Sequence, residues 1–315
     1  MEPHLDLSLF MAKTPLTSAL YDGTVQPKGI RLSVGNDFSD GLANTGERHR
    51  QILAGELPGG ECSTSSFLLA RTRGVPLVAL PVFLARSFVH RQIHCYAEAP
   101  IQTPSDLNGK RVTVHRWNST SPTWTKGLLQ NEYGVDLKSI DWFTAEADPE
   151  GEGAPPEFRI QRVPEPASRE KAVEMLESGE IDACLDPYVQ PGPTVRKVLG
   201  DRWQEEAESF FRRTNVYPMS HTFVIRQEIL DEHPWVAESL LDAFRAARKE
   251  APRYMDERAK THESWLEEVI GGDPHEYHLS PVEQKTLTEL VRYQFQQGLR
   301  TEPIDPLACF ALDGN

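Results

Sequence analysis

Two short segments of this chain are rich in hydroxyl side chains, and a helical pattern follows each of them. Residues 119–123 contain four serine or threonine side chains, and every side chain of residues 63–66 carries a hydroxyl. The first amides of a helix have no partner within the helix and carry partial positive charge, so such segments can bind an anion. Ordinary helix capping is the alternative for both segments.

The elements around residues 119–123 place this segment between a strand and a helix. Arg111–Val114 has the β-branched character of a short buried strand. Ser121 suits the N-cap of the following helix, Pro122 its first position, and Gly134 the left-handed residue after its last turn. We therefore predict a strand that leads directly into a candidate ligand loop.

Strand and helix patterns alternate along the rest of the chain, which predicts an α/β protein with largely parallel sheets. One series of such elements precedes about residue 88, and a second runs from about residue 92 to 216, before a helical tail. Ligands of open α/β sheets bind beyond the carboxyl ends of the strands. Two lobes would then present their ligand loops to a central cleft.

Composition excludes several classes of partner. The 315 residues carry a formal net charge of −14, which argues against binding to nucleic acid or to an anionic membrane. Four cysteines lie far apart without a CxxC motif, so we expect buried thiols and no disulfide framework. The acidic N-terminal segment lacks a sustained apolar core, so we predict no export signal and a cytoplasmic location. The C-terminal helices offer surface for a homo-oligomer.

Several longer segments, taken in order, resemble the 4,5-dihydroxyphthalate decarboxylase family. Together they cover most of the chain. The matching segments are Asp22–Leu32 (DGTVQPKGIRL), Glu61–Gly74 (ECSTSSFLLARTRG), Pro81–Ile93 (PVFLARSFVHRQI), Asp106–Val112, Trp124–Gly134, Ser178–Leu185 (SGEIDACL), Tyr217–Arg226 (YPMSHTFVIR) and His233–Phe244 (HPWVAESLLDAF). The chain departs from the family pattern in two expected ligand loops. Thr14–Thr17 stands where the family has Tyr-Asp-Arg-Thr, and Trp117–Ser121 stands where it has Tyr-Gln-x-Thr-Ala.

The resemblance implies an α/β, two-lobed fold like that of the type II periplasmic binding proteins, with a helical C-terminal tail. We expect residues 1–88 and 224–315 to form lobe 1 and residues 89–223 to form lobe 2. It also implies a carboxy-lyase that converts a hydroxylated aromatic carboxylate, as in the conversion of 4,5-dihydroxyphthalate to protocatechuate and CO₂. A solute-binding or sensing protein for a small aromatic carboxylate is the alternative, because fold alone does not decide function.

The resemblance marks three residues as candidates for catalysis. Arg86 could hold a substrate carboxylate, because a planar guanidinium matches a carboxylate bidentately; a structural ion pair is the alternative. His221 could protonate the ring carbon that loses CO₂, since histidine titrates near neutral pH. His90 matches the family pattern too and could orient the substrate or donate the proton instead. A structural role is the alternative for each histidine.

Other side chains are candidates for substrate binding. Asp186 follows a predicted strand and could accept a hydrogen bond from a ring hydroxyl, or it could cap its loop. Trp117 or Trp124 could stack on an aromatic ring, although core packing is favoured for Trp124. The remaining candidates supply hydroxyls and amides: Thr17, Ser65, Ser66, Ser119, Thr120 and Ser121.

No organic cofactor is required for this chemistry, because a hydroxylated ring can itself store the charge of protonation. Metal was considered at His90 and His94. Residues four apart on a strand are separated by about 13 Å, too far to bind one ion. His275 and His278 flank a loop and are expected to be solvated. We therefore predict no metal site from local sequence, and metal dependence stays open.

Overall fold

The computed structural model describes residues 5–35, 42–145, 155–164 and 167–311, with the backbone alone for residues 42–45. The chain divides into two compact units. The first contains Met1–Arg86, Met219–Leu287 and Asp305–Asn315, and the second contains Ser87–Pro218 and Thr288–Ile304. Each unit is built around one β-sheet.

The strands follow the predicted pattern closely in position and length. In chain order they are β1 (Leu5–Phe10), β2 (Ile30–Gly35), β3 (Gly59–Ser63), β4 (Leu77–Arg86), β5 (Ile93–Tyr96), β6 (Arg111–Val114), β7 (Asp141–Thr144), β8 (Arg159–Arg162), β9 (Ala183–Leu185), β10 (Val195–Lys197) and β11 (Met219–Arg226). The sequence patterns did not indicate β3 or β10. Both are short, and β3 begins with two glycines that resemble a helix end.

The α-helices cover the faces of the sheets and form the C-terminal part of the chain. They are α1 (Ser18–Tyr21), α2 (Leu42–Leu53), α3 (Thr64–Thr72), α4 (Thr120–Glu132), α5 (Arg169–Glu177), α6 (Trp203–Thr214), α7 (Gln227–Glu232), α8 (Trp235–Glu250), α9 (Glu257–Ile270) and α10 (Pro281–Gln296). No helix in the described ranges combines the length and the apolarity that crossing a membrane requires.

The sheet of the first unit has the strand order β2-β1-β3-β11-β4. β1 pairs in parallel with β2 and β3, whereas β11 runs antiparallel to both β3 and β4. Its core includes Phe223 on β11 and Phe244 on α8, whose ring centroids lie 4.9 Å apart. Truncating a buried ring of this kind costs about 3–5 kcal/mol.

The sheet of the second unit has the order β10-β5-β9-β6-β7-β8. β6 is parallel to β7 and β9, and β8 is parallel to β7, but β5 runs antiparallel to β9 and to β10. The α/β class and the prediction of largely parallel sheets are therefore confirmed. Each sheet is nevertheless mixed, because one strand in it, β11 in the first sheet and β5 in the second, runs against the others.

Residues 288–304 belong to the second unit, although the predicted boundaries assigned them to lobe 1. Side-chain packing explains the difference. The ring of Tyr293 on α10 lies edge-on against Trp124 of α4 with a centroid distance of 5.4 Å. Gln297 Nε2 donates a hydrogen bond of 2.8 Å to the carbonyl of Thr123. The prediction relied on sequence order and had no information about these contacts.

Two helix boundaries differ from the sequence prediction for local reasons. α4 begins at Thr120 with Ser119 as its N-cap, two residues before the predicted start, because the amide of Thr123 already bonds to the carbonyl of Ser119 at 3.0 Å. α8 ends at Glu250 instead of continuing to about Arg258. Pro252 lacks an amide hydrogen and cannot continue the α-helical bonding there.

Candidate functional site

The first sheet brings several predicted site residues to one edge, where β3 and β4 end. Because β11 is antiparallel to both strands, its first residues lie at this edge. His221 is paired with Ser63 at the end of β3 and with Ala85 near the end of β4. Helix α3 also begins here, directly after β3. Ligands of α/β sheets bind beyond carboxyl ends, so this edge is the candidate site of the first unit.

A carboxylate–histidine pair forms at this edge. His221 Nδ1 lies 2.6 Å from Glu61 Oε1. The other carboxylate oxygen of Glu61 accepts a hydrogen bond of 2.8 Å from the amide of Ala12. The Glu61 side chain is only 3% exposed, whereas that of His221 is 23% exposed. An ionised carboxylate can only accept hydrogen bonds, so Nδ1 carries the hydrogen and Nε2 is left to exchange a proton.

The surroundings fix the orientation of this pair. His49 on α2 lies edge-on to His221, with ring centroids 5.0 Å apart and an interplanar angle of 88°. Among the described residues, His221 Nε2 has no hydrogen-bond partner. A partly exposed histidine that is held at Nδ1 has the arrangement that a general acid or base needs.

Thr17 supports this pair indirectly. Its side chain is fully buried, and its hydroxyl donates to the carbonyl of Ala12 at 2.7 Å while it accepts from the amide of Thr14 at 2.9 Å. These bonds hold the loop after β1, whose Ala12 amide in turn bonds to Glu61. The Thr17 hydroxyl is thus committed to the backbone, whereas the sequence prediction gave it to the substrate.

The start of α3 shows the capping arrangement that was the alternative for residues 63–66. The hydroxyl of Ser63, the N-cap, accepts a bond of 3.3 Å from the amide of Ser66. Ser65 is fully buried, and Ser66 is 4% exposed. Both serines, which the sequence analysis assigned to substrate binding, are therefore buried in the first unit.

Arg86, at the end of β4, forms a buried ion pair within the first unit. Its Nη1 donates to Glu283 Oε1 at 2.6 Å and to the carbonyl of Pro274 at 3.2 Å. The two side chains are 2% and 7% exposed. Glu283 therefore compensates the guanidinium charge that the sequence prediction assigned to a substrate carboxylate, and the ion-pair alternative is the observed arrangement.

The second sheet gathers another set of predicted residues where β6 and β9 end. β5 is antiparallel to β9, so its first residue, Ile93, is paired with the last residue of β9, Leu185. The 3₁₀-helix Val89–Gln92 immediately precedes β5. Residues 117–121 follow β6, and Asp186 follows β9. This edge is the candidate site of the second unit.

His90, in that 3₁₀-helix, is a buried structural residue. It is 2% exposed, and its ring lies 5.4 Å from that of Phe210. Burial, together with the positive charge of Arg213, lowers the pKa of His90 to about 3. The imidazole is therefore neutral near pH 7, so it carries no proton of the kind a general acid donates from an imidazolium.

Trp117 belongs to the core of the second unit. It is 1% exposed, and its ring lies 5.4 Å from Trp142 and 5.0 Å from Phe158. The buried Lys126 donates to the Trp117 carbonyl at 2.6 Å and lies over the indole ring. The prediction that Trp117 binds the substrate is thus not matched by its position, while Trp124 is buried as expected.

The hydroxyls of residues 119–121 differ in exposure. Thr120 is buried, whereas Ser119 and Ser121 are partly exposed. The Ser121 hydroxyl donates to the side-chain oxygen of Gln92, and the Ser119 hydroxyl contacts the carbonyl of Arg116 at 3.5 Å. Ser119 and Ser121 are thus the accessible hydroxyls of this loop.

Asp186 caps its own loop and forms an ion pair. One carboxylate oxygen accepts from Arg169 Nε at 2.7 Å, and the other accepts from the amide of Tyr188 at 2.9 Å. The residue is 2% exposed. Both oxygens therefore have protein partners, which is the loop-cap alternative considered for this residue.

The described residues contain no group of three or more His, Cys, Asp or Glu side chains arranged to hold a metal ion. His94 lies on β5 and is 2% exposed. Burial lowers its pKa to about 4. All four cysteines are buried, as predicted for Cys62, Cys95 and Cys184, and burial raises the pKa of the Cys184 thiol well above its usual range.

Comparison with known proteins supports the resemblance. A 4,5-dihydroxyphthalate decarboxylase from Comamonas testosteroni is 29% identical over 217 residues, which are 64% of this chain and 63% of that protein. The match thus spans less than two thirds of that relative. A 4,5-dihydroxyphthalate decarboxylase from Pseudomonas putida is 27% identical over 220 residues, covering 66% of this chain and 82% of that protein. The chain resembles the 4,5-dihydroxyphthalate decarboxylases.

The fold is that of the periplasmic binding proteins. The periplasmic aliphatic sulphonate binding protein SsuA from Escherichia coli superimposes with a TM-score of 0.58. The match covers 97% of each chain at 12% sequence identity, which is evidence for the fold alone. No protein-family model matches the chain.

Sequence reasoning missed three residues at the two edges. Glu61 and Arg169 gain their roles from partners distant in the chain: Glu61 and His221 are 160 positions apart. Glu61 did stand inside a segment that resembles the 4,5-dihydroxyphthalate decarboxylases, between the small residues Gly60 and Cys62. A charged residue in such a buried pattern was the available signal. His49 had none, because it lies in an ordinary polar helix.

Proposed function

We propose that this protein decarboxylates a hydroxylated aromatic carboxylate, with 4,5-dihydroxyphthalate as the candidate substrate and protocatechuate and CO₂ as the products. The Glu61–His221 pair at the carboxyl edge of the first sheet carries this proposal. The names of the two relatives supply the substrate class. The structure supplies a histidine with the exposure and the hydrogen bonding that a proton donor needs.

The chemistry requires one proton and an electron-rich ring. Each carboxylate of 4,5-dihydroxyphthalate is para to a hydroxyl, which pushes electron density toward the ring carbon bearing that carboxylate. A proton from His221 Nε2 adds to this carbon. The bond to the carboxylate then breaks, its electron pair restores the aromatic ring, and CO₂ leaves. The proton remains in the product as the new ring C–H.

Glu61 prepares His221 for this step. Its carboxylate accepts the Nδ1 hydrogen and stabilises the charged imidazolium, from which Nε2 can donate. After donation the imidazole is neutral and still bonded to Glu61 through Nδ1. Because the His221 side chain is 23% exposed, solvent can return the proton for the next turnover. General acid catalysis of this kind contributes about 10²–10⁴-fold to a rate.

His221 is preferred to His90 as the donor on physical grounds. The pKa of His90 is lowered to about 3 by burial, so almost none of it is protonated near pH 7. His221 has a carboxylate partner and partial exposure instead. We therefore assign His90 to the packing of the second unit.

A turnover assay tests the proposed function. The purified protein is incubated with 4,5-dihydroxyphthalate and related hydroxylated benzoates, and released CO₂ and the aromatic product are measured. We expect stoichiometric CO₂ and product from at least one substrate that has a hydroxyl para to a carboxylate. The absence of turnover for the whole series would overturn the decarboxylase proposal.

The second candidate is a binding protein for an aromatic carboxylate that performs no chemistry. The full-length likeness to SsuA favours it, since that relative is named as a sulphonate binding protein. Tight, stoichiometric binding of 4,5-dihydroxyphthalate without CO₂ release would support this candidate and exclude the first.

A further inference from the structure

Arg169 and Tyr188 lie together at the carboxyl edge of the second sheet, and the mechanism above uses neither. Arg169 is the first residue of α5, and Tyr188 follows Asp186 in the loop after β9. The guanidinium carbon of Arg169 lies 4.7 Å from the centroid of the Tyr188 ring. Asp186 bonds to Arg169 Nε through one oxygen and to the Tyr188 amide through the other. One buried carboxylate thus positions both residues.

The bond from Arg169 to Asp186 uses only one nitrogen of the guanidinium. Among the described residues, Nη1 and Nη2 of Arg169 have no hydrogen-bond partner, and 12% of the side chain is exposed. These two nitrogens form a planar pair of donors, which matches the two oxygens of a carboxylate. The Asp186 contact holds this pair in place without occupying it.

Tyr188 adds an aromatic surface beside these donors. It is 53% exposed, the second most exposed large hydrophobic side chain among the described residues. One part of its ring contacts the guanidinium, and the exposed remainder can stack on another aromatic ring. A guanidinium beside an exposed aromatic ring can bind both the carboxylate and the ring of an aromatic acid.

A second arginine–aspartate pair on the same sheet shows what a purely structural pair looks like. Arg111 bonds to Asp182 through both Nε and Nη2, at 3.0 and 2.8 Å, and also donates to the carbonyl of Gly179. This pair lies at the opposite edge, where β6 begins, and no aromatic ring contacts its guanidinium among the described residues. In Arg111, Nη2 is thus engaged twice, whereas Nη2 of Arg169 is left unused.

We propose that Arg169 and Tyr188 form a binding site for an aromatic carboxylate, in which Arg169 Nη1 and Nη2 bind the carboxylate and Tyr188 stacks on the ring. Asp186 is the positioning residue for both. The proposal depends on the proposed function only for the class of ligand. It replaces the sequence-based assignment of the carboxylate to Arg86, whose side chain is only 2% exposed, against 12% for Arg169.

Calorimetric titration with phthalate tests this site, because phthalate has the two carboxylates and no hydroxyl to support turnover. We expect Arg169→Gln to weaken phthalate binding about 10-fold or more, since it removes a charge-assisted hydrogen-bonded pair. Arg169→Lys should lose part of the affinity, because an ammonium keeps the charge without the fork. Arg111→Gln is the matched control and should bind phthalate as the unchanged protein does.

Tyr188→Leu is the second test, because a substitution at this exposed position leaves the core of the second unit unchanged. We expect this variant to weaken phthalate binding more than the binding of maleate, a dicarboxylate without an aromatic ring. Thermal unfolding of each variant checks that the fold is retained.

The outcomes separate this site from the proposed function. Failure of the unchanged protein to bind phthalate, or unchanged binding by both Arg169→Gln and Tyr188→Leu, would overturn the site even if decarboxylation is observed. Loss of phthalate binding in Arg169→Gln, with Arg111→Gln unaffected, would support the site even if no substrate is turned over.

Discussion

At the edge of the first sheet, a partly exposed histidine bonds to a buried carboxylate, whereas at the edge of the second sheet a histidine is buried among aromatic rings. His221 is 23% exposed and has Glu61 as its partner. His90 is 2% exposed, and burial lowers its pKa to about 3. The same residue type is thus partly exposed beside a carboxylate in one unit and packed in the core of the other, which is why His221 is the proposed proton donor.

The arginines of the two edges differ in the complementary way. Arg86, in the first unit, is enclosed in an ion pair with Glu283. Arg169, in the second unit, is held by Asp186 through one nitrogen and presents its other donors. In each proposal the role falls to the more exposed residue of its type, His221 instead of His90 and Arg169 instead of Arg86. Because each comparison is between two residues of the same type, the proposed roles depend on the partner and the exposure of each side chain.

The largest effect is expected from removing the proposed proton donor. His221→Asn should lower kcat about 10²–10⁴-fold with little change in KM, because the variant loses general acid catalysis and keeps a side chain of similar polarity. Steady-state kinetics measure both constants. His262→Asn, at a histidine stacked on Trp265 in α9, is the control and should leave kcat unchanged. Equal kcat in His221→Asn and the unchanged protein would remove His221 from the mechanism.

The next effect concerns the buried ion pair of the first unit. Arg86→Leu should lower the free energy of unfolding by about 3–5 kcal/mol, because Glu283 is left as an uncompensated buried charge. Urea unfolding measures this change. The double variant Arg86→Leu with Glu283→Leu should recover much of the loss, since no charge then remains buried. A single variant as stable as the unchanged protein would show that the pair does not hold this edge.

A smaller effect is expected from Glu61→Gln. The variant keeps the shape of the side chain but loses the negative charge that stabilises the imidazolium, so kcat should fall about 10–100-fold. Steady-state kinetics measure this change, and a kcat equal to that of the unchanged protein would remove Glu61 from the mechanism.

The smallest effect is the pH dependence of stability that His90 contributes. The folded-state pKa of about 3 lies below the unfolded value near 6.5, so protonation favours the unfolded chain. The contribution of His90 to the free energy of unfolding is therefore fully present above about pH 6.5 and is lost as the pH falls toward 3. Between pH 7 and 5 one such group accounts for about 2 kcal/mol. His90→Leu should reduce the acid sensitivity of urea unfolding by this amount, and an unchanged sensitivity would contradict the assignment.

Local sequence patterns identified the scaffold of both edges well. The strand Arg111–Val114 has the predicted bounds. Gly134 takes a positive φ after α4, as its position in the sequence indicated. These features depend on neighbouring residues, so short-range rules are sufficient to find them.

The side-chain partners could not be found in the same way. Arg86 and Glu283 are 197 positions apart, and neither sequence neighbourhood indicates the other. The same holds for Glu61 and His221. β11 also inserts antiparallel between β3 and β4 from a distant part of the chain, which is why the first sheet is mixed. The sequence therefore indicates which residue types could bind or react with a ligand. Tertiary contacts decide which of these side chains are already engaged by a partner within the protein.

Hydrogen exchange on the product tests the central claim most directly. By microscopic reversibility, the reverse reaction adds CO₂ to this ring carbon of protocatechuate and returns its hydrogen to the group that donated it, so turnover in both directions exchanges that hydrogen with solvent. In D₂O that contains dissolved CO₂, we predict that the unchanged protein exchanges the hydrogen ortho to the carboxylate and para to a hydroxyl, and that His221→Asn does not. Exchange at the same rate in both proteins would contradict the assignment of His221 as the proton donor.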